Sequence, residues 1–214
     1  MNILPMFPLQ IVVYPNDKVP LHIFEKRYQE LIADCEETGM SFGIPVVIDG
    51  KISFGTEVKL TKVVKRYNDG RSDIICSGQK VFKIQKFYEQ LENKSYAGGE
   101  VQFFDDIDDS VDSLKLKIIE RIKEFYNILD LEVPELNEQH FSSYDLAHRI
   151  GFSFSQEYEL LQLRYESERL NYILNHLKNV IPIIKQVNHT KDTIKLNGHF
   201  KSFDPMDFKN IKWE

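Results

Sequence analysis

MNILPMFPLQIVVYPNDKVPLHIFEKRY, residues 1–28, opens the chain with a run rich in apolar residues and punctuated by Pro5, Pro8, Pro15 and Pro20, four of its eight prolines. A targeting signal, a buried strand and an exposed gripping surface are all readings of such a segment. The first does not fit. No basic residue precedes Lys18, prolines break the hydrophobic run, and no small-residue cleavage site follows. Within the segment, LQIVVY (9–14) is a β-branched run held between prolines, which fix φ and cannot donate a ladder bond, so a short strand is expected there. EKRYQELIADCEETG then places Tyr28, Leu31, Ile32 and Cys35 at helical spacing, with Gly39 as the stop.

Outward from this start, strand and turn signals follow in alternation. SFGIPVVI reads as a buried strand and Asp49-Gly50 as a two-residue hairpin. KISFGTEVKLTKVVKRY is one long strand or a pair, and NDG (68–70) a second turn. RSDIICSGQKVFKIQKFYE has strand composition with Gly78 as a bulge, and KSYAGGEVQFFD supplies another strand. Residues 1–108 therefore form a small sheet or barrel of five or six strands with one embedded helix.

From residue 109 the period changes. DDIDDS is an acidic linker leading into a helix, where carboxylates suit the N-terminal dipole. Val111, Leu114, Ile118, Ile122, Phe125 and Leu129 follow 3/4 spacing. SSYDLAHRIG is a short helix capped by Ser142 and ended by Gly151, and SFSQ (153–156) is a capping box for a long helix. That helix carries Leu160, Leu163, Ser167, Leu170, Leu174, Leu177 and Ile181 as a core stripe up to Pro182. Residues 109–188 are thus a three-helix lobe. The remaining 189–214 lack a period but hold Phe200, Phe203, Phe208 and Trp213, and are expected to dock on their own domain or on a partner.

Composition bounds function. Of 214 residues, 27 are basic and 33 acidic, and the −6 charge divides evenly between the segments 1–108 and 109–214. With no basic half to release counterions, nucleic acid is disfavoured. Cys35 and Cys76 have no metal-ligand spacing and read as buried thiols of a reducing, cytoplasmic protein. No stretch reaches the roughly 20 apolar residues of a membrane span. There is no GxxxxGK[ST], HExxH, GxSxG or strand-linked GxGxxG, and the histidines form no i, i+4 pair. Ser142, Asp145 and His148 read as a capped helix with a solvated pair rather than a triad, and Asp105–Asp109 as a linker rather than a hard-cation loop. The expectation is a non-catalytic domain needing no cofactor and no metal.

Residues 4–32 (LPMFPLQIVVYPNDKVPLHIFEKRYQELI) resemble the opening signature of the N-terminal, substrate-binding domain of the Lon protease family. Leu4, Pro5, Phe7, Pro8, Leu9, Pro15, Pro20, Leu21, Ile23, Phe24, Glu25, Arg27 and Tyr28 match in order. Asn16 replaces the usual glycine and also tolerates positive φ. Phe42-Gly43, the DGR turn at 69–71, SGQKVFKI (77–84) and LLQLRYESERLNYILNHL (160–177) are similar to later family blocks. The resemblance implies an α+β fold, a PUA-like β-barrel lobe followed by a helical lobe, here as a stand-alone domain without the family's ATPase and protease modules. It implies a protein- or peptide-binding module, an adaptor or regulator of proteolysis. The partners expected are unfolded or tagged polypeptides, or a separate protease or ATPase.

Tyr14, Pro15, Leu21, Phe24 and Tyr28 are the candidate polypeptide-binding residues. Proline-braced apolar loops hold such side chains with little ordering cost on binding. Leu21 and Ile23 read first as core; for Tyr14, Phe24 and Tyr28, core and groove are even readings. PUA-like barrels elsewhere bind RNA, so Lys62, Lys65, Arg66, Tyr67 and Arg71, clustered about a turn, form the alternative contact set. An enzyme of unrecognised type has no motif behind it. A small-molecule sensor, as among some eukaryotic relatives, lacks the aromatic cage it requires.

Overall fold

A computed structural model of the chain describes residues 2–135 and 141–200. The order is β1 (Asn2–Met6), β2 (Lys18–Ile23), α1 (Lys26–Thr38), β3 (Phe42–Ile48), β4 (Lys51–Arg66), β5 (Ser72–Tyr88), β6 (Ala97–Phe103), α2 (Asp112–Ile128), α3 (Tyr144–Ala147), α4 (Phe154–Leu161) and α5 (Glu166–Phe200). The strands pair in the order β2-β5-β4-β3-β1-β6, and β6 returns to pair with β5, so five of them close into a barrel. Closure depends on the length of β5. Its first part, Ser72–Ser77, pairs with β2, and its last part, Phe82–Tyr88, pairs with β6. The fold is mixed α+β, a small barrel with one embedded helix followed by helices ending in a long one.

Local chemistry explains much of this. Asp49 (φ 50°) and Gly50 (φ 70°) make the tight connection between Ile48 and Lys51, the positive-φ pair that suits strand twist. Asn16 (φ 70°) takes the left-handed conformation where the family signature has glycine. Gly78 is required by proximity, since a Cβ there would lie 2.1 Å from the Tyr14 carbonyl oxygen. Just beyond it the register of β4 and β5 shifts, with Val58 opposite Gly78 and Thr56 opposite Val81. Gln79 and Lys80 therefore face a single residue across the ladder, a β-bulge.

Three expectations are corrected. The first strand is Asn2–Met6, not 9–14. Beyond Pro8, which has no N–H to pair, the chain keeps only scattered bonds to β3: Leu9 N–H to Pro45 O (3.1 Å) and Val47 N–H to Leu9 O (2.8 Å). The period-2 alternation is nonetheless real, because Val12 and Tyr14 enter a core shared with the helices while Val13 enters the barrel core. Second, the helix begun by the Ser153–Gln156 capping box, which is present in both directions, ends at Leu161, and α5 starts afresh at Glu166. The break is imposed from the linker. Ile107 bridges Tyr165, Asp109 accepts the Ser167 N–H (2.8 Å) and hydroxyl (2.7 Å), and Arg169 donates to the carbonyls of Leu163 and Arg164. Third, α5 continues through Pro182 to Phe200. Pro182 and Lys178, whose carbonyl loses its donor, both lie on the exposed side, where water can serve that carbonyl. The helical stripe itself is core as expected: Leu160, Leu170, Leu174, Leu177 and Ile181 are buried beside Ile118, Ile122 and Phe125 of α2. The aromatics expected at 203, 208 and 213 lie outside the described residues.

Candidate functional site

The N-terminal segment sends its candidate residues in three directions. Tyr14 is fully buried where barrel and helices meet, stacked on Tyr144 (5.1 Å between centroids) and donating its hydroxyl to the Glu157 carbonyl at 2.9 Å. Burial pushes the Tyr14 phenol well above its ordinary range, with Glu157 and Asp17 adding to the effect. Tyr28 is also buried, stacked on Phe7 at 3.7 Å. Both rings are thus core, which corrects their placement in a binding groove: each has the apolar partners of an interior position. Pro15 is half-buried at the mouth of a groove between barrel and helices.

Leu21 and Phe24 remain. In β2 the alternation buries Val19 and Ile23, leaves Leu21 half-buried, and turns Lys18, Pro20, His22 and then Phe24 outward. Phe24 is 62% exposed although it sits in a short ordered link between β2 and α1. Its carbonyl accepts from the Gln29 side chain (3.0 Å), and its ring lies 6.2 Å from that of His22. His22 in turn bonds Asp73 across the strand pair at 2.6 Å. The Phe24 ring is thus a large apolar group at the surface on a backbone tied by the Gln29 bond.

The alternative RNA set is brought together only in part, and its two arginines are already paired. Arg66 pairs with Glu36, and Arg71 with Asp69 at 2.7 Å. Lys65 and Arg71 both lie over the Tyr67 ring (4.5 and 5.3 Å), and the Tyr67 hydroxyl donates to Asp73. A ring already attended by two cations and carboxylates this close make a poor platform for a stacked base or a phosphate, and RNA binding is not favoured.

The other clusters resolve into structure. Asp145 accepts the Ser142 N–H and the Ser142 hydroxyl accepts the Tyr144 N–H, a reciprocal cap. His148 instead spans Asp17 at the barrel end (3.1 Å) and Glu157 of α4 (2.8 Å). These bonds, Asp17 first, outweigh desolvation and raise His148 to about 9. In the linker, Asp106 binds Arg169, Asp108 caps Ser110 and Asp109 caps α5. Among the described residues no group of three or more His, Cys, Asp or Glu side chains could hold a metal ion, and no helix is long and apolar enough to cross a membrane. Cys35 and Cys76 are buried free thiols, each pushed up to about 12 chiefly by burial, as unreactive positions require.

Sequence reasoning missed the groove beside Pro15. It has a volume of about 370 Å³ and lies where three irregularities converge: the Asn16 turn, the Gln79–Lys80 bulge and the α4–α5 break at Leu163–Tyr165. One wall is the buried Arg169, fixed by Glu166 (2.7 Å), the Ser143 hydroxyl (2.9 Å) and Asp106. Arg164 also lines the groove, its guanidinium 5.2 Å over the Phe104 ring, which itself stacks on Phe54. Glycine-adjacent bulging was the one local signal of this site.

Comparison with known proteins agrees with this architecture. The family described as "ATP-dependent protease La (LON) substrate-binding domain" matches residues 3–179. A Lon N-terminal domain protein from Xanthomonas campestris is similar at 28% identity, with 82% of this chain and 98% of that one covered and a TM-score of 0.61. The N-terminal domain of the Mycobacterium avium complex Lon protease superposes with a TM-score of 0.63 over 83% of this chain and 98% of that one, at 16% identity, a likeness of fold alone.

Proposed function

We infer the function from one premise: the chain belongs to the family of ATP-dependent protease La (Lon) substrate-binding domains, whose signature spans residues 3–179. The Lon N-terminal substrate-binding domain is a non-catalytic recognition module. On this reading the protein binds polypeptides that expose apolar side chains, and serves proteolysis as an adaptor or regulator that presents them to a protease and ATPase. The single observation that carries the placement of the contact surface is Phe24, a large ring 62% exposed in an ordered link, with half-buried Leu21 and the Pro20 ring on the same strand. Proline and the β2–β5 pairing hold the backbone there, so little conformational freedom is lost when a client chain covers the ring.

The test is capture of a chemically unfolded, fluorescently labelled polypeptide by the purified chain, followed by crosslinking. Wild-type protein is expected to capture it and Phe24→Ser to lose most of that capture while retaining its circular dichroism. Undiminished capture by Phe24→Ser removes the surface from the account. The adaptor role has its own check: addition of the protein is expected to speed degradation of the captured polypeptide by a Lon-type protease, and an unchanged rate would contradict it.

A further inference from the structure

The groove between barrel and helices differs from the Phe24 surface in its chemistry. Its floor is apolar, formed by Val81, Leu161 and Leu163, and its rim carries charges that cancel in pairs except for one. Asp106 is engaged by Arg169, and Asp105 faces Lys80 at 3.6 Å. Arg164 is left over. Among the described residues no carboxylate stands within ion-pair distance of its guanidinium, which rests on Phe104 instead. A stacked guanidinium keeps its fork of N–H donors available, and that fork matches a carboxylate.

The backbone that carries the fork is held still. The Arg164 carbonyl accepts from Ile107 N–H (3.2 Å) and from Arg169 (3.1 Å), so its backbone is tied to the linker and to a buried side chain. Phe104 is fixed by its N–H bond to the Val81 carbonyl (2.9 Å) and by stacking on Phe54. A contact prepared in this way costs little further ordering when a ligand arrives. At about 370 Å³ the groove sits near the small end of ligand pockets, which run from ~300 to ~1,000 Å³, so it suits the end of a chain better than a continuing segment.

We propose that this groove binds the C-terminal residue of a polypeptide, with the terminal carboxylate on Arg164 and an apolar last side chain against Val81, Leu161 and Leu163. The proposal rests on the reading of the chain as a polypeptide-recognition domain and gives that domain a second, chain-end contact apart from Phe24.

Fluorescence anisotropy with labelled octapeptides tests it on the full chain. The probes are a peptide ending in Leu with a free carboxylate, its C-terminal amide, and an amide with Glu as last residue. The free acid is expected to bind about tenfold more tightly than either amide, as for loss of a charge-assisted bond. Arg164→Gln, at an exposed position, is expected to abolish that preference. Equal binding of acid and amide, no saturable binding of the acid, or a preference surviving in Arg164→Gln would each overturn the proposal. Tight binding of the Glu amide would overturn the chain-end assignment in favour of acidic side chains. Capture of unfolded polypeptide without any carboxylate preference would sink the groove alone, whereas failure of both assays would sink the functional reading beneath it.

Discussion

Two short pieces of one segment, Val12–Tyr14 and Leu21–Phe24, are both mainly apolar, yet the first is buried throughout and the second puts His22 and Phe24 in water. Both end in an aromatic ring, and a proline adjoins each. Val12, Val13 and Tyr14 are buried because the chain there has left the sheet and passes between two cores, with the Tyr14 hydroxyl satisfied by Glu157 across the junction. Leu21–Ile23 lies in β2, which pairs on one side only, with β5, and Phe24 follows in the link into α1, so His22 and Phe24 are delivered to water. Hydrophobicity sets how costly exposure is; topology decides which residues bear it.

That contrast can be broken most forcefully at Tyr14. Tyr14→Ala removes a buried ring and is expected to lower unfolding free energy by about 3–5 kcal/mol, whereas Phe24→Ser should stay within about 0.5 kcal/mol of wild type. Urea denaturation followed by circular dichroism measures both. Equal losses would mean that the two rings do not differ in environment. Arg169→Leu belongs near the top of the same scale. It strips a buried Glu166 of its partner and should cost about 3–5 kcal/mol. Tyr14→Phe sharpens the comparison, since it keeps the ring and removes only the hydroxyl bond to Glu157. A loss of about 1 kcal/mol is expected, and none if that bond contributes nothing.

The smallest effect is a dependence on pH. His148 joins Asp17 to Glu157 and is raised to about 9 in the folded protein from about 6.5 in the unfolded chain. A raised value means the protonated form is favoured by folding, so the contribution is complete below about pH 6.5 and disappears as pH rises through 9. The melting temperature should fall over that interval, and His148→Gln should flatten the decline. An identical slope in the variant would place the titration elsewhere.

The same distinction explains what could be read from the amino-acid sequence. The Asp49-Gly50 hairpin, the Gly39 stop of α1 (φ 72°), the Ser153–Gln156 capping box and the core stripe of α5 depend on neighbours within a turn or two, and each has the form its residues imply. The barrel and helical architecture followed from these together with the family resemblance. The α4–α5 break was not legible, because Asp109 caps a helix that begins 57 residues later, at Glu166. Burial of Tyr14 likewise depends on Glu157, 143 positions away. At the candidate site the sequence left Phe24 even between core and groove, because its exposure depends on how the link from β2 into α1 is placed. The groove escaped notice because its walls come from Pro15, Lys80, Phe104 and Arg164, which no local pattern connects.

The central claim is that Phe24, and not Tyr14 or Tyr28, meets the client. Site-specific photo-crosslinking tests it most directly, with a photoreactive phenylalanine analogue at position 24 and, separately, at position 28, in the presence of a labelled unfolded polypeptide. Strong crosslinking from position 24 and little from the buried position 28 is the predicted result. Equal yields from both positions, or none from position 24 while the protein still captures the polypeptide, would contradict the account.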